Sequence, residues 1–462
     1  MTLLVSYYTR QMAASDVLRE SWATRIGFIL AAVGSAVGLG NVWRFPFQVG
    51  QEGGAAFLVI YLAFIVVIGF PAMLVEFVIG RNTKRNPVGA LRAFGGRGWE
   101  YVGGIFLVIG FVLLAFYSVV AGWVLRYFFA SLTGAYTANP ETYFAQISVG
   151  WDAVFFHALF MLSVIAIVGI GVQRGIELAA TVMVPAIFLI LAGLSVYAFT
   201  LGGASEAYAY YLSPDFAEIA ANWQSVLPAA AGQALFTLSL GMGVMITYAS
   251  YIDEDRDLAE DGTAIIGFDV AIAFVVGLVV FPVIFTAGVD PADPGPGAVF
   301  VSLASAFAEI GFGWLLGAIF FGTFFLAALT SAISIIEVIV SYAIDEHGID
   351  RRVATAVVGS VIFLLGIPTA LDPVLFGLYD QLAAEILLVV GTLFVMVLVG
   401  WIAAPRAKAE LAEGLEQPDR LIDVWIWLVR VPVIVVLLVS LYLALLGFSE
   451  FLQQELVPWL EG

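Results

Sequence analysis

Residues 34–41 read GSAVGLGN and interrupt the first long apolar segment of the chain, and residues 237–243 read TLSLGMG and interrupt the sixth. Clustered glycines let the backbone leave the helix, because they lack the Cβ that restricts other residues. In hydrocarbon, a freed peptide group is tolerated only where it lines a cavity or meets a ligand. Either cluster alone is also compatible with close helix packing. Because the two lie at corresponding depths of antiparallel segments, they instead predict discontinuous helices around a midplane site.

The rest of the chain is apolar enough to supply further membrane spans. Of its 462 residues, 62% are hydrophobic and only 12% are charged, whereas soluble domains are about 25% charged. Since a transmembrane helix needs about 20 mainly apolar residues, we predict an all-α integral membrane protein that forms one membrane domain over 1–462. Its eleven predicted spans are 22–49, 55–80, 101–131, 153–172, 178–201, 226–250, 263–289, 313–343, 353–371, 381–403 and 421–448.

The order of the spans predicts two inverted repeats of five helices each. Five crossings separate the first interruption from the sixth, so the two broken spans run in opposite directions. We expect repeat one over about 19–201, repeat two over about 226–403 and an accessory helix over about 421–448. Such repeats with broken helices at their interface are typical of secondary transporters.

The basic residues predict the orientation in the membrane. With a cytoplasmic N-terminus, 15 of the 18 Lys and Arg residues fall in inner segments, as the positive-inside rule requires. Residues 1–15 lack the apolar core of a signal peptide. We therefore expect a multi-pass protein of the cell (plasma) membrane with its N-terminus inside and, after an odd number of spans, its C-terminus outside.

Several classes of function are excluded by composition. The net charge of −18 argues against a nucleic-acid partner, and neither Lys84 nor Lys408 follows a glycine, so no Walker A loop is present and ATP is not expected as a partner. The chain has no cysteine, and its two histidines, His157 and His347, lie at opposite predicted faces, so we expect no enzyme and no organic cofactor. A channel would be expected to show rings of like charge. The sequence shows none, so it does not suggest a channel. The acidic, lysine-poor composition suggests a salt-loving microbe.

The segments around the two interruptions resemble the neurotransmitter:sodium symporter family, in its prokaryotic amino-acid-transporting branch with a leucine-transporter-like fold. The resemblance covers about 19–403 and is densest in 19–25, 34–46, 233–251 and 329–331. It implies symport of sodium with a neutral hydrophobic or aromatic amino acid, imported through the lipid bilayer by alternating access. An amino-acid sensor of transporter ancestry and a transporter of another zwitterionic solute are the alternatives.

The resemblance implies one or two bound sodium ions. One group of oxygens would come from the backbone or hydroxyls of Gly34, Val37, Ala327, Thr330 and Ser331. The other would come from Ala36, Asn41, Thr237 and Asp269, completed by the substrate carboxylate. Asp269 stands where many relatives have Asn, and its charge predicts that chloride is not required. A protonated Asp269, hydrogen-bonded within the bundle, is the structural alternative.

The resemblance also implies a substrate pocket. It would be formed by Ala36, Gly38, Gly40, Leu113, Tyr117, Phe236, Ser239, Met242, Ser331 and Ile335. Tyr117 would bind the substrate carboxylate, and flexible Met242 could accommodate an aromatic side chain. Monoamine-transporting relatives carry an Asp where this chain has Gly38, which favours an amino acid over an amine.

Gates and structural polar residues follow from the same resemblance. Arg44 and Asp380 would approach each other on the outer side, and Arg19 and Asp345 on the inner side, with Ser250 and Tyr251 nearby. Two further residues, Glu76 and Gln233, would have structural roles, with Glu76 accepting hydrogen bonds from amides freed at the second interruption. For Glu337 and Glu385, proton binding and the lining of a wet path both remain open.

Overall fold

The structure is a computed structural model, and it describes residues 20–254, 256–288, 290–291, 296–415 and 418–461. Every regular element in these ranges is a helix. Among the described residues, nine helices are long and apolar enough to cross a membrane, and a tenth span consists of two helices that meet at a bend of 49°, which is one span fewer than the eleven predicted. The predicted all-α membrane architecture is confirmed.

Eighteen helices follow one another along the described residues when π-helical turns are counted with the helices they continue. They are α1 Arg25–Ala36, α2 Gly40–Gln51, α3 Ala55–Thr83, α4 Pro87–Gly95, α5 Glu100–Thr133, α6 Pro140–Ile147, α7 Trp151–Val168, α8 Val172–Ala198, α9 Ala204–Leu212, α10 Phe216–Thr237, α11 Val244–Ala249, α12 Leu258–Thr286, α13 Pro296–Glu309, α14 Gly313–His347, α15 Arg351–Leu371, α16 Pro373–Ile402, α17 Ala404–Ala412 and α18 Arg420–Glu461.

Most predicted spans correspond to one helix, and the two broken spans correspond to pairs. The first is α1 and α2, and the sixth is α10 and α11, which residues 238–243 separate. Three predicted limits were wrong. The sixth span was expected to begin at 226, but α10 begins at Phe216, where the Asp215 side chain accepts from the Ala217 amide. The tenth span was expected to begin at 381, but α16 begins at Pro373, because the Asp372 side chain accepts from two amides of its first turn. The last helix continues past 448 to Glu461.

The backbone at the second interruption requires its glycines. Gly241 and Gly243 have φ values of 78° and 76°, in the left-handed region that a Cβ disfavours. Ser239 also lies there, with φ of 52°, although it is not glycine. Its hydroxyl donates to the Ser35 carbonyl at 2.9 Å, so a contact with the first interruption stabilises this conformation.

Two long helices, α5 and α14, pack against each other in the centre of the bundle. The half-helix α1 lies against α8, α12 and α14, and α11 lies against α3. In contrast, only 11% of the apolar window of α18 is buried, so this helix stands at the periphery. The two interruptions therefore face each other inside the bundle, with α5 and α14 beside them.

Candidate functional site

A small cavity lies between the two interruptions. All ten residues of the predicted substrate pocket line it, and two further residues, Ser35 and Leu39, complete the lining. Its volume is about 20 Å³, close to what one water molecule needs. A bound solute therefore requires the lining side chains to move apart.

One wall of the cavity is polar, and little space separates its groups. The Tyr117 hydroxyl accepts from the Leu39 amide at 3.4 Å and donates to the Ala328 carbonyl at 3.3 Å. A Cβ added to Gly38 would lie 2.2 Å from Ser331 Oγ and 2.9 Å from Tyr117 Oη. Because real Cβ contacts are not this short, the wall admits only glycine at position 38 unless its neighbours shift.

The structure brings together the five residues of the first predicted sodium group. Thr330 Oγ1 donates to the Ala327 carbonyl at 2.9 Å and to the Val37 carbonyl at 3.5 Å. Ser331 Oγ lies 3.4 Å from the Gly34 carbonyl. Ser331 Oγ also donates to the Ser35 carbonyl at 2.8 Å, a neighbour that the sequence did not predict. Hard cations take such oxygen ligands, so this buried cluster has the chemistry that sodium requires.

The second predicted sodium group centres on the carboxylate of Asp269. Asn41 Nδ2 donates to Asp269 Oδ1 at 2.8 Å, and Thr237 Oγ1 donates to Oδ2 at 3.0 Å. Asp269 is fully buried, and no Lys or Arg pairs with it in the described part of the chain. A buried carboxylate is costly without a positive partner, so the position suits a cation. Ala36, also assigned to this group, lines the adjacent cavity.

Polar side chains from neighbouring helices hold the backbone at each interruption. Glu76 Oε1, on α3, accepts from the Gly241 amide at 2.7 Å. Gln233 Nε2, on α10, donates to the Gly40 carbonyl at 2.9 Å. Both side chains are fully buried. Glu76 accepts from an amide that the broken helix leaves without an intrahelical partner, and Gln233 adds a second donor to the Gly40 carbonyl, which also accepts from the Phe45 amide.

On the predicted outer side, Arg44 pairs with a different residue from the one expected. Arg44 Nη2 lies 2.7 Å from Glu385 Oε1, whereas the sequence predicted an approach to Asp380, which lines the same cavity as Arg44. The guanidinium also lies 4.9 Å from the ring centre of Phe236. Beyond Phe236 is a second cavity of about 430 Å³, the vestibule, which all four side chains line. Phe236 therefore separates the vestibule from the small cavity.

On the predicted inner side, Glu337 belongs to an ion-pair network. Tyr251 Oη donates to Glu337 Oε1 at 2.9 Å, and Arg351 donates to both Glu337 oxygens at 2.7 and 3.0 Å. Asp345 accepts from the Asn86 amide at 3.0 Å. The predicted partner of Asp345, Arg19, lies outside the described residues. Ser250 donates to the carbonyl of Thr247 at 2.6 Å.

Sequence reasoning missed two acidic residues that hold the beginning of α1. Glu177 accepts from the Ala23 and Thr24 amides at 2.8 and 3.1 Å, and Asp261 pairs with both Arg25 and Arg256 at 2.9 and 2.8 Å. The available signal was their position near the inner ends of apolar segments, where an isolated carboxylate needs a partner. They tether the inner half-helix to α8 and α12.

Comparison with known proteins agrees with this geometry. The sequence profile of the Sodium:neurotransmitter symporter family matches residues 19–146 and 148–456. The chain belongs to this family. The predicted resemblance is thus confirmed, and the chain is a sodium-dependent membrane transporter and not an enzyme.

Three relatives show how far the similarity extends. The chain is 33% identical over 448 residues to the uncharacterized sodium-dependent transporter YhdH of Bacillus subtilis (strain 168), covering 93% of this chain and 98% of the relative. It is 26% identical over 446 residues to the sodium- and chloride-dependent GABA transporter ine of Drosophila melanogaster, covering 83% of this chain and 46% of the relative. It superimposes on the crystal structure of MhsT in complex with L-phenylalanine with a TM-score of 0.84 and 38% identity, covering 92% and 99% of the two chains.

Proposed function

We propose that this transporter imports a neutral hydrophobic or aromatic amino acid together with sodium by alternating access. The observation that carries the proposal is the cavity between the two interruptions, which has a polar wall beside an apolar one. The similarity to MhsT, whose structure was solved with L-phenylalanine, supports a substrate of this class.

The two walls of the cavity suit the two ends of such a substrate. Backbone amides and the Tyr117 hydroxyl are donors for a carboxylate, and the carbonyls at the interruptions are acceptors for an ammonium group. Leu113, Phe236, Met242 and Ile335 form the apolar wall, which favours an apolar side chain. A side chain at position 38 would clash with Ser331 and Tyr117. The pocket therefore has no room there for an aspartate, whose carboxylate would bind a biogenic amine.

Shared residues would couple the substrate to sodium. Ser331 lines the cavity and also belongs to the first oxygen cluster. Asn41 and Asp269 hold the second cluster next to the same break, where a substrate carboxylate would complete the set of oxygens. Each ligand then raises the affinity of the other, as linkage requires. Each sodium that enters down a potential of 100 mV would contribute about 2.3 kcal/mol.

We propose two further properties of the transport cycle. Asp269 supplies a fixed negative charge beside the second cluster, so transport needs no chloride. The protein lies in the cell membrane with its N-terminus inside, and repeats 19–201 and 226–403 move against each other around the sodium and substrate sites.

Thermal unfolding of the purified protein with a panel of amino acids, in sodium or potassium, tests the substrate proposal. A ligand that binds the folded state raises the melting temperature by mass action. We expect a sodium-dependent increase with large apolar amino acids and none with amines. If no amino acid gives this increase, the proposal is wrong. Uptake of the stabilising amino acid into vesicles, with and without a sodium gradient, then separates a transporter from a sensor, which would bind but not accumulate it.

A further inference from the structure

A fully buried arginine lies on the predicted inner side of the bundle, away from the sodium and substrate sites. Arg81 stands near the end of α3, and none of its side chain is accessible. Its Nε donates to Glu410 Oε1 on α17 at 2.5 Å, and Glu410 is the only acid among the described residues that pairs with it. Because a buried charge without a partner is costly, this pair fixes the end of α3 against α17.

The Arg81 guanidinium joins three segments that are far apart in the chain. Its Nη2 donates to the Glu410 carbonyl, and its Nη1 donates to the carbonyl of Arg256, which lies in the loop between α11 and α12. Asn82 Nδ2 donates to the second carboxylate oxygen of Glu410 at 2.7 Å. The planar fork of an arginine suits several acceptors at once. Arg81 therefore connects α3, α17 and the loop after α11.

The short helix α17 also contacts these segments directly. Gly414, just after α17, has a φ of 86°, and a Cβ added there would lie 2.8 Å from the Arg256 carbonyl oxygen. Nearer the beginning of α17, Arg406 donates to the Ala93 carbonyl on α4 at 2.7 Å. The helix therefore lies across the inner ends of α3 and α4 and reaches the loop after α11.

The end of α11 in turn holds the beginning of α1. Trp22, which precedes α1, donates from its indole Nε1 to the Tyr248 carbonyl on α11 at 2.9 Å. The Trp22 amide donates to the carbonyl of Tyr251, just after α11, at 3.3 Å. Since α1 and α11 are the inner halves of the two broken spans, alternating access requires them to move when the inner side opens. A contact that fixes the loop after α11 therefore restrains both half-helices.

We propose that α17 is a clamp on the inner side and that Glu410 is its positioning residue, because it holds Arg81 against the loop after α11 and so favours the state that is closed to the inside. The clamp follows residue 403 and stands outside both predicted repeats. It ties repeat one, through Arg81, to repeat two, through Arg256. Opening to the inside then requires the bond from Arg81 to the Arg256 carbonyl to break. This inference rests on the proposed alternating access.

The test measures access to the end of α11, independently of the substrate. The chain has no cysteine, so Ser250→Cys supplies a single reporter just after α11, at a position that is only 2% exposed in this state. A second reporter, Ser21→Cys, lies at a position that is already exposed. Purified protein in lipid nanodiscs is labelled with an uncharged, water-soluble maleimide. The ratio of the Ser250→Cys rate to the Ser21→Cys rate measures opening of the inner side.

Three variants separate a clamp from a merely structural ion pair. We expect Glu410→Gln to raise the ratio about tenfold, because it replaces a charged hydrogen bond by a weaker neutral one. The matched control is Asp423→Asn, which removes the partner of Lys408 on the same helix, 2.7 Å away, and it should leave the ratio unchanged. The double variant Arg81→Gln/Glu410→Gln leaves no charge buried alone. It should fold and keep the ratio high, because the bond from the Arg81 guanidinium to the Arg256 carbonyl is gone.

Each contrary result overturns the inference. An unchanged ratio in Glu410→Gln, even with a lower melting temperature, would make the pair purely structural. An equal increase in Asp423→Asn would reduce the effect to a general loosening of α17. A normal ratio in the double variant would mean that an unpaired buried charge, and not the lost bond to the Arg256 carbonyl, opened Glu410→Gln. If Ser250→Cys is labelled in no variant while Ser21→Cys is, the inner side does not open, which contradicts alternating access and with it the proposed function.

Discussion

Replacing Gly38 by alanine should damage the first sodium site without adding or removing any charge. The new Cβ would lie 2.2 Å from Ser331 Oγ and 2.9 Å from Tyr117 Oη. Ordinary contacts begin near 3.4 Å, so the Ser331 hydroxyl must move by about 1 Å or rotate away. In either case Ser331 Oγ leaves the carbonyls of Gly34 and Ser35, which it contacts at 3.4 and 2.8 Å.

The structure sets the expected size of this effect. Overpacking a well-packed interior costs about 1–3 kcal/mol, and a coupling free energy of that size corresponds to roughly five- to 150-fold in affinity. We expect the sodium dissociation constant of Gly38→Ala to rise within this range. The measurement is sodium-dependent thermal stabilisation of the purified protein, titrated with sodium at constant ionic strength.

Gly193→Ala is the matched control, because a Cβ added there has no neighbour within 4 Å. It makes the same substitution in a membrane helix and should leave the sodium titration unchanged. If Gly38→Ala also titrates like the wild type, Ser331 Oγ is not a sodium ligand, and the first oxygen cluster is only a structural network. A loss of stability that is equal with and without sodium would lead to the same conclusion.

Three other substitutions test the remaining polar groups. Thr330→Ala should weaken the sodium affinity measured by thermal stabilisation about tenfold. The control is Thr323→Ala on the same helix, whose hydroxyl donates to the carbonyl of Ile319 in that helix at 2.7 Å, and it should leave the affinity unchanged. Equal responses of the two variants would remove Thr330 from the site. Asp269→Asn should make sodium-driven uptake depend on chloride, while wild-type uptake persists when gluconate replaces chloride at constant sodium; loss of wild-type uptake would contradict this. Glu76→Leu should cost about 1–3 kcal/mol in thermal unfolding, because the buried Gly241 amide loses its acceptor, and an unchanged melting temperature would refute that role.

The parts of the fold that could be predicted are those that follow from solvent. Because hydrocarbon selects long apolar helices, most spans were identified to within a few residues of their ends. The interruption at 237–243 was predictable because Gly241 and Gly243 adopt left-handed backbone conformations that other residues avoid. The family motifs added the residues of the pocket, and the structure places all ten around one cavity.

The pairing of charges could not be predicted in the same way. Arg44 was expected to approach Asp380, and both line the vestibule, but the acid that pairs with Arg44 is Glu385. In a regular α-helix, residues 380 and 385 would lie on different faces. The π-helical segment of α16 brings them to the same face. The ion pair between Glu337 on α14 and Arg351 at the beginning of α15 likewise connects two successive helices across the turn that separates them. No local sequence pattern specifies this pair.

The sequence by itself determined the membrane environment, the helical class, the two interruptions and the oxygen-bearing residues beside them. These depend on local properties: apolar length, the absence of a Cβ and the chemistry of hydroxyls and carboxylates. The tertiary structure alone decided which oxygens meet, which acid holds Arg44 and how little space remains around Gly38. Those outcomes depend on distances between helices far apart in the chain, and such distances are set when the whole bundle packs.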